Sequence, residues 1–240
     1  MIGTVVLDAA VFDLDGTLVD TPRGIVSAFT AAFQSMGVPV PDAAAIRATI
    51  GRPLDAAFSA LLGVTPDDER VALSVRRYQE LFREIVLPGA VSLVFPGVAD
   101  GLAALAGQGL RLAVATSKFR ANAEALLVAA GLRDHFAVVA GADQVTRPKP
   151  DPEMGWLVLG ALGVPAARAV MVGDTTHDLL MAAGAGMRSV AVTYGVHGLA
   201  ELRTANPTWI ADTFDDVLRC LRPDATALGQ PVAATPAPTH

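Results

Sequence analysis

Short, nearly continuous apolar runs alternate along the chain with segments whose apolar positions recur at helical spacing. Ala9–Asp13, Arg111–Thr116, Phe136–Ala140, Ala169–Gly173 and Ser189–Thr193 have the pattern of strands covered on both faces. Helical patterns fill Gly97–Gln108, Arg120–Ala130, Pro152–Leu162 and Leu179–Ala185. Gly131, Gly163 and Gly186 fall where three of these helices should stop. A short strand at Thr208–Ala211 and a helix at Phe214–Leu221 end the series. The alternation predicts an α/β fold, a Rossmann-like parallel sheet with right-handed crossovers and helices on both faces.

Between Pro22 and Leu87 the alternation stops. Helices are predicted over Arg23–Met36, Ala43–Ile50, Asp55–Leu62 and Asp67–Val86, separated by proline-containing turns and without a strand. An insert of this length is too long for a plain crossover and is expected to form a second, small helical domain. The expected boundaries are a core of residues 1–17 and 96–222 and a helical insert of residues 18–95. Residues 223–240, rich in Pro, Ala and Thr, are expected to be a disordered tail.

Composition narrows the function classes. Of the 240 residues, 52% are hydrophobic and 18% charged, enough apolar surface to bury a core. A net charge of −6 removes nucleic acid and anionic membranes from the expected partners. No apolar run approaches the ~18–20 residues of a membrane span, and the Met1-Ile2-Gly3-Thr4 start lacks the positive region of a signal peptide. The single cysteine, Cys220, excludes an internal disulfide and a cysteine-based zinc site, and its apolar helix face places it in the core. A soluble, cytoplasmic monomer or homodimer is expected. Among the 18 Lys and Arg residues only Lys118 and Lys149 are lysines, which singles them out for scrutiny.

In an open α/β sheet, ligands collect beyond the carboxyl ends of the strands. The first predicted strand is followed by Asp13-Leu14-Asp15-Gly16-Thr17 and the second by Thr116, Ser117 and Lys118. Asp143 and Arg147-Pro148-Lys149-Pro150 follow the third, and Asp174-Thr175-Thr176-His177-Asp178 the fourth. Carboxylates, hydroxyls and both lysines therefore converge on one sheet edge. Asp13, Asp15, Asp174 and Asp178 brought together would repel one another, and a hard divalent cation relieves that conflict. Oxygen-only donors favour Mg²⁺, which takes one or two carboxylates, waters and phosphate oxygens. Lys149 and Thr116 suit the non-bridging oxygens of a phosphoryl group. Neither a Walker A pattern nor a G-x-G-x-x-G after a strand is present, so a nucleotide-cofactor fold is disfavoured.

These four clusters, in this order, resemble the signature motifs of the haloacid dehalogenase superfamily, over roughly Val5 to Leu221. The insert resembles that family's helical cap. The Arg147-Pro148-Lys149-Pro150-Asp151-Pro152 and Thr193-Tyr194-Gly195 runs look most like its phosphoglycolate phosphatase-like branch. The resemblance implies that Asp13 attacks phosphorus to form an aspartyl-phosphate and that Asp15 serves as acid and then base. It also implies Mg²⁺ held by the Asp13 side chain, the Asp15 backbone carbonyl and Asp174, with Asp178 binding through water or lying just outside the ligand set. Thr116 and Lys149 would hold the phosphoryl group. Ser117 and, in the insert, Arg52 of Gly51-Arg52-Pro53-Leu54 are candidate substrate contacts, Arg52 for a small anionic acid such as phosphoglycolate; Arg23 is a second such arginine. Ser117 also fits a packing or turn role. Lys118 is expected at the surface or near substrate, His177 in a solvent-facing turn, and Asp143 as a loop former.

Other functions are weighed by the same residues. A carbon–halogen hydrolase needs no acid for an alkoxide, and Asp15 argues against one. A phosphonatase needs a lysine in the insert, and residues 17–95 contain none. A phosphosugar mutase and a pyrophosphate or nucleotide phosphatase stay open. A non-catalytic binding protein would have no use for Asp13, Asp15, Lys149 and Asp174 together.

Overall fold

The structure, a computed structural model, describes residues 6–222. The tail expected to be disordered, residues 223–240, lies outside the described residues. Strands β1 (Ala9–Phe12), β2 (Arg111–Ala115), β3 (Val138–Ala140), β4 (Ala169–Gly173), β5 (Arg188–Val192) and β6 (Trp209–Ala211) form one sheet. All pairs are parallel and the order is β3-β2-β1-β4-β5-β6. The chain winds outward from β1 to β3, returns across the sheet to β4 and winds out the other way. The crevice of such a fold opens between β1 and β4, where the winding reverses.

Four helices, α1 (Pro22–Ser35), α2 (Ala43–Arg47), α3 (Leu54–Leu62) and α4 (Glu69–Ile85), follow β1; α5 (Val98–Gly107) leads back into β2. Helices α6 (Arg120–Ala129), α7 (Glu153–Leu162), α8 (Thr176–Ala185) and α9 (Leu199–Thr204) are the later crossovers, and α10 (Phe214–Cys220) follows β6. Successive strand residues point to opposite faces and so feed different cores. Ala10 and Phe12 of β1 pack with Leu102 of α5, Leu126 of α6 and Val217 of α10. Ala9 and Val11 pack with Met154 and Val158 of α7 and Met181 of α8. Burial on both sides explains why the strands read as unbroken apolar runs.

The helices after β1 are stapled by aromatic rings. Ile25, Phe29 and Phe33 lie one helical turn apart on α1 and face Tyr78 and Phe82 on α4. Phe29 lies 4.6 Å from Phe58 and 4.7 Å from Tyr78, centroid to centroid, within the range of favourable ring pairing. The chain leaves and re-enters the sheet along one paired track. Asp20 N–H donates to Leu93 O at 2.7 Å, and Phe95 N–H donates to Leu18 O at 3.1 Å.

Element ends differ from expectation for local reasons. Helix α2 stops at Arg47, not Ile50, because Thr49 and Ile50 N–H bond three residues back and tighten the chain into Gly51 at φ 92°. Strand β3 begins at Val138, since Phe136 closes a 3-10 turn over Arg133–His135 and is buried without joining the sheet. Helix α8 begins three residues before the predicted Leu179, behind a Thr175 cap.

Candidate active site

Asp13 directly follows β1, and its N–H donates to Val172 O at 2.9 Å, carrying the β1–β4 pairing one residue further. Asp174 directly follows β4. Both acids are thus set by strand ends on either side of the crevice, and both are buried. Asp174 is held from two directions, accepting from the Thr17 hydroxyl at 2.9 Å and from Val196 N–H at 2.8 Å. The backbone closes tightly around it. A Cβ on Gly16, whose φ is 81°, would lie 2.2 Å from Asp174 Oδ2, and one on Gly195 would lie 2.3 Å from the same atom.

Asp178 is the third residue of α8. Its Oδ2 accepts from Thr175 N–H at 3.1 Å and from the Thr175 hydroxyl at 2.7 Å, an N-terminal capping arrangement. Its Oδ1 receives Lys149 Nζ at 2.6 Å. The capping and site readings of Asp178 therefore coexist. Lys149 Nζ also donates to Asp13 Oδ1 at 3.0 Å and to Ala115 O at 2.6 Å, so all three of its protons are used. Burial opposes the charge of Lys149, yet Asp13 and Asp178 together hold its pKa above the ordinary value.

One carboxylate oxygen from each of Asp13, Asp174 and Asp178 lies within 4.8 Å of the others. Burial raises the Asp13 pKa to about 7; Lys149 opposes the rise, while Asp178 and Asp15 add to it. Asp174 is pushed well above the carboxylate range by burial, then by Asp13 and Asp178. Three buried acids against one ammonium leave excess negative charge. The donors are all hard oxygens, so the site fits a hard divalent cation.

The carboxylate of Asp15 is held apart from this trio. It accepts from the Thr21 hydroxyl on one oxygen, and Lys118 Nζ lies 3.2 Å from the other. Lys118 also sits 4.1 Å above the Phe82 ring, so it is neither at the surface nor free. Thr116 is buried at the end of β2, and its Oγ accepts from Lys118 N–H at 3.2 Å. The Ser117 hydroxyl donates to Gly51 O at 2.8 Å, tying the sheet domain to the helical insert. Asp13, Asp15, Thr116, Ser117 and Arg52 all border one cavity of about 70 Å³. Lys149, Asp174 and Asp178 do not line it.

The remaining candidates fall elsewhere. Arg23 is exposed at the start of α1. Asp143 accepts from Arg120 N–H at 2.6 Å and so caps α6, more than shaping a loop. Cys220 is half-buried against the core edge. His177, expected to face solvent, is partly buried, and its Nδ1 has no hydrogen-bond partner among the described residues. Burial lowers its pKa, with Asp178 opposing. Thr21 was not singled out, because a threonine before Pro22 reads as a helix start. Phe29, Tyr78 and Phe82 read as core for the same reason: ring residues at helical spacing carry no sign that they also face a cavity.

The sequence pattern of the haloacid dehalogenase-like hydrolases matches residues 10–192, more than half of the chain. The chain belongs to this family. The Dickeya dadantii protein named "Probable phosphatase IndB" is 58% identical over 208 residues, covering 87% of this chain and 90% of that protein. A phosphoglycolate phosphatase from Pectobacterium atrosepticum is 34% identical over 210 residues, covering 86% of this chain and 89% of that enzyme. Among solved structures, CbbY from Rhodobacter sphaeroides in complex with phosphate superposes with a TM-score of 0.74 at 29% identity. It covers 88% of this chain and 96% of its own. Among the described residues no helix is long and apolar enough to cross a membrane.

Proposed function

We propose that this chain is a Mg²⁺-dependent phosphatase that hydrolyses a small phosphomonoester through a covalent intermediate on Asp13. The observation that carries the reading is the split of the acids into a buried trio, two of them bonded to Lys149, and a separately held Asp15 at the cavity. Phosphatase names among the relatives support it. In the first step an Asp13 oxygen attacks phosphorus, the ester P–O bond breaks, and Asp15 gives its proton to the leaving alkoxide. In the second, Asp15 takes a proton from water, which attacks the same phosphorus and breaks the Asp13–phosphate bond, releasing phosphate. Thr116 holds a phosphoryl oxygen through its hydroxyl. Lys149 neutralises Asp13 and keeps it oriented.

Asp13 and Asp174 would hold the cation, with Asp178 at its edge and the Asp15 backbone carbonyl completing the set. When bound, the ion neutralises charge on the phosphoryl oxygens. Residues 18–95 form a cap domain over this site, docked through Ser117 and Gly51. Arg52 on the cavity wall and the names of relatives put phosphoglycolate on the substrate panel as its small-acid member. The test is phosphate release from a phosphomonoester panel with Mg²⁺ and with chelator, together with acid-quench trapping of phosphoprotein. Hydrolysis that persists in chelator, or the absence of any trapped aspartyl-phosphate, refutes it. Quantitative return of label to a bound sugar phosphate marks a mutase instead.

A further inference from the structure

The leaving-group half of the cavity is chemically unlike the phosphoryl half. Its wall is made by Ile25, Phe29, Leu54, Tyr78, Phe82 and Phe119. Phe29, Tyr78 and Phe82 form a continuous ring surface, with centroids 4.7 Å and 5.8 Å apart. Ile25, Phe29, Tyr78 and Phe82 are each at most 6% exposed, so the wall is shielded from water. An apolar wall with a few placed polar groups is the make of a site that orients an apolar or aromatic part of its ligand.

The charges on the wall are mostly spent. Lys118 is paired with Asp15 and lies against the Phe82 ring, so it has little to offer a substrate carboxylate. Arg52 makes no salt bridge among the described residues, but it is exposed, where water competes for an ion pair. A carboxylate driven against the ring wall would lose its hydration without a buried partner. The wall also carries neutral polar groups: the Tyr78 hydroxyl, the Gln79 side chain and the Asn122 amide, whose oxygen accepts from Arg83 at 3.3 Å. Burial, with Asp15 adding to it, keeps Tyr78 protonated and able to donate.

We infer that the substrate is a phosphate monoester whose alcohol carries an uncharged, flat aromatic or heteroaromatic group that packs against Phe29, Tyr78, Phe82 and Phe119. This rests on the phosphatase reading above and specifies its substrate as the ester of a ring-bearing alcohol. Phosphorus sits at Asp13, and the ring fills the space under the helical insert. Gln79, Asn122 and Tyr78 select among rings by their ring nitrogens and oxygens.

The experiment compares three esters on the wild-type chain with Mg²⁺: benzyl phosphate, ethyl phosphate and phosphoglycolate. Benzyl phosphate is expected to exceed both others in kcat/KM by at least about tenfold, the discrimination an apolar pocket provides. Phe119→Ala is expected to narrow the benzyl-to-ethyl ratio several-fold with an unchanged circular dichroism spectrum. Phosphoglycolate equal to or better than benzyl phosphate overturns the inference and leaves the phosphatase reading standing. A benzyl rate no higher than the ethyl rate overturns it too, since charge alone would then set the preference. Failure to hydrolyse any of the three overturns the inference as well, and the wider panel with phosphoprotein trapping decides the phosphatase reading separately.

Discussion

Gly16 and Asp174, 158 positions apart in sequence, are packed so closely that no side chain fits between them: a Cβ on Gly16 would stand 2.2 Å from Asp174 Oδ2. Gly16 also has φ 81°, a conformation that alanine adopts only with strain. The loop after β1 therefore depends on glycine for its own turn and for the position of an acid on β4. Gly16→Ala is expected to displace the Asp174 carboxylate and break its bond from Thr17. Divalent-cation affinity should fall by at least about tenfold, as measured by calorimetric titration. Wild-type affinity in this variant would show that Asp174 does not need its observed position.

Asp13→Asn tests the nucleophile. An amide at this position removes the attacking oxygen but keeps shape and can still receive Lys149. Turnover should drop by at least about a thousandfold, with no trapped phosphoprotein, while the circular dichroism spectrum is retained. Substantial residual turnover would refute the assignment of Asp13.

Much of this site was legible in the sequence because two-sided burial makes parallel strands visible, and the acids follow strand ends directly. Asp13 after Phe12 and Asp174 after Gly173 needed only that rule. What lay hidden depends on contacts between distant segments. Nothing local marks Thr21 as the partner of Asp15, or directs Lys118 onto Phe82 in another helix. Helix α9, only Leu199–Thr204, is too short for periodicity to register and was missed. Phe29 and Tyr78 were legible as apolar helix positions, but one residue can serve core and cavity together, and spacing does not separate the two.

Lys149→Met should be costly for stability. The ammonium is buried and touches Asp13, Asp178 and a carbonyl, so its removal strands two acids without a counter-charge. A loss of about 3–5 kcal/mol is expected at neutral pH in chelator, read from urea unfolding. The cost should shrink as pH falls, because Asp13 can then take up a proton. A variant as stable as wild type at pH 7 would contradict the charge accounting.

The cation-free protein should lose stability as pH rises. Asp13 has an ordinary pKa of 3.8 and a folded value of about 7, and Asp174 shifts in the same direction. The folded chain thus holds protons that the unfolded chain has already released, so unfolding free energy falls with increasing pH through that window. In chelator the melting temperature is expected to decline from about pH 4 to pH 7. Saturating Mg²⁺ should raise it most at the upper end, since binding to the folded state alone stabilises that state. A melting temperature that climbs over this range without metal would mean that the acids are neutralised by other means.

Asp15 has two jobs in the proposed cycle, and an ester with a good leaving group separates them. p-Nitrophenolate departs without a proton, whereas an alkoxide must be protonated as its bond to phosphorus breaks. Asp15→Asn should therefore still transfer phosphoryl from p-nitrophenyl phosphate to Asp13 but hydrolyse the intermediate slowly, since no base activates water. Stopped-flow absorbance should show a burst of about one equivalent of nitrophenolate followed by a slow steady state. Benzyl or ethyl phosphate should give no burst, because the first step itself fails. Thr21 and Lys118 hold the Asp15 carboxylate at the cavity and away from the other three acids, which makes both roles available to one residue. A variant that slows both ester types equally, with no burst from the aryl ester, would reduce Asp15 to a structural partner of Lys118.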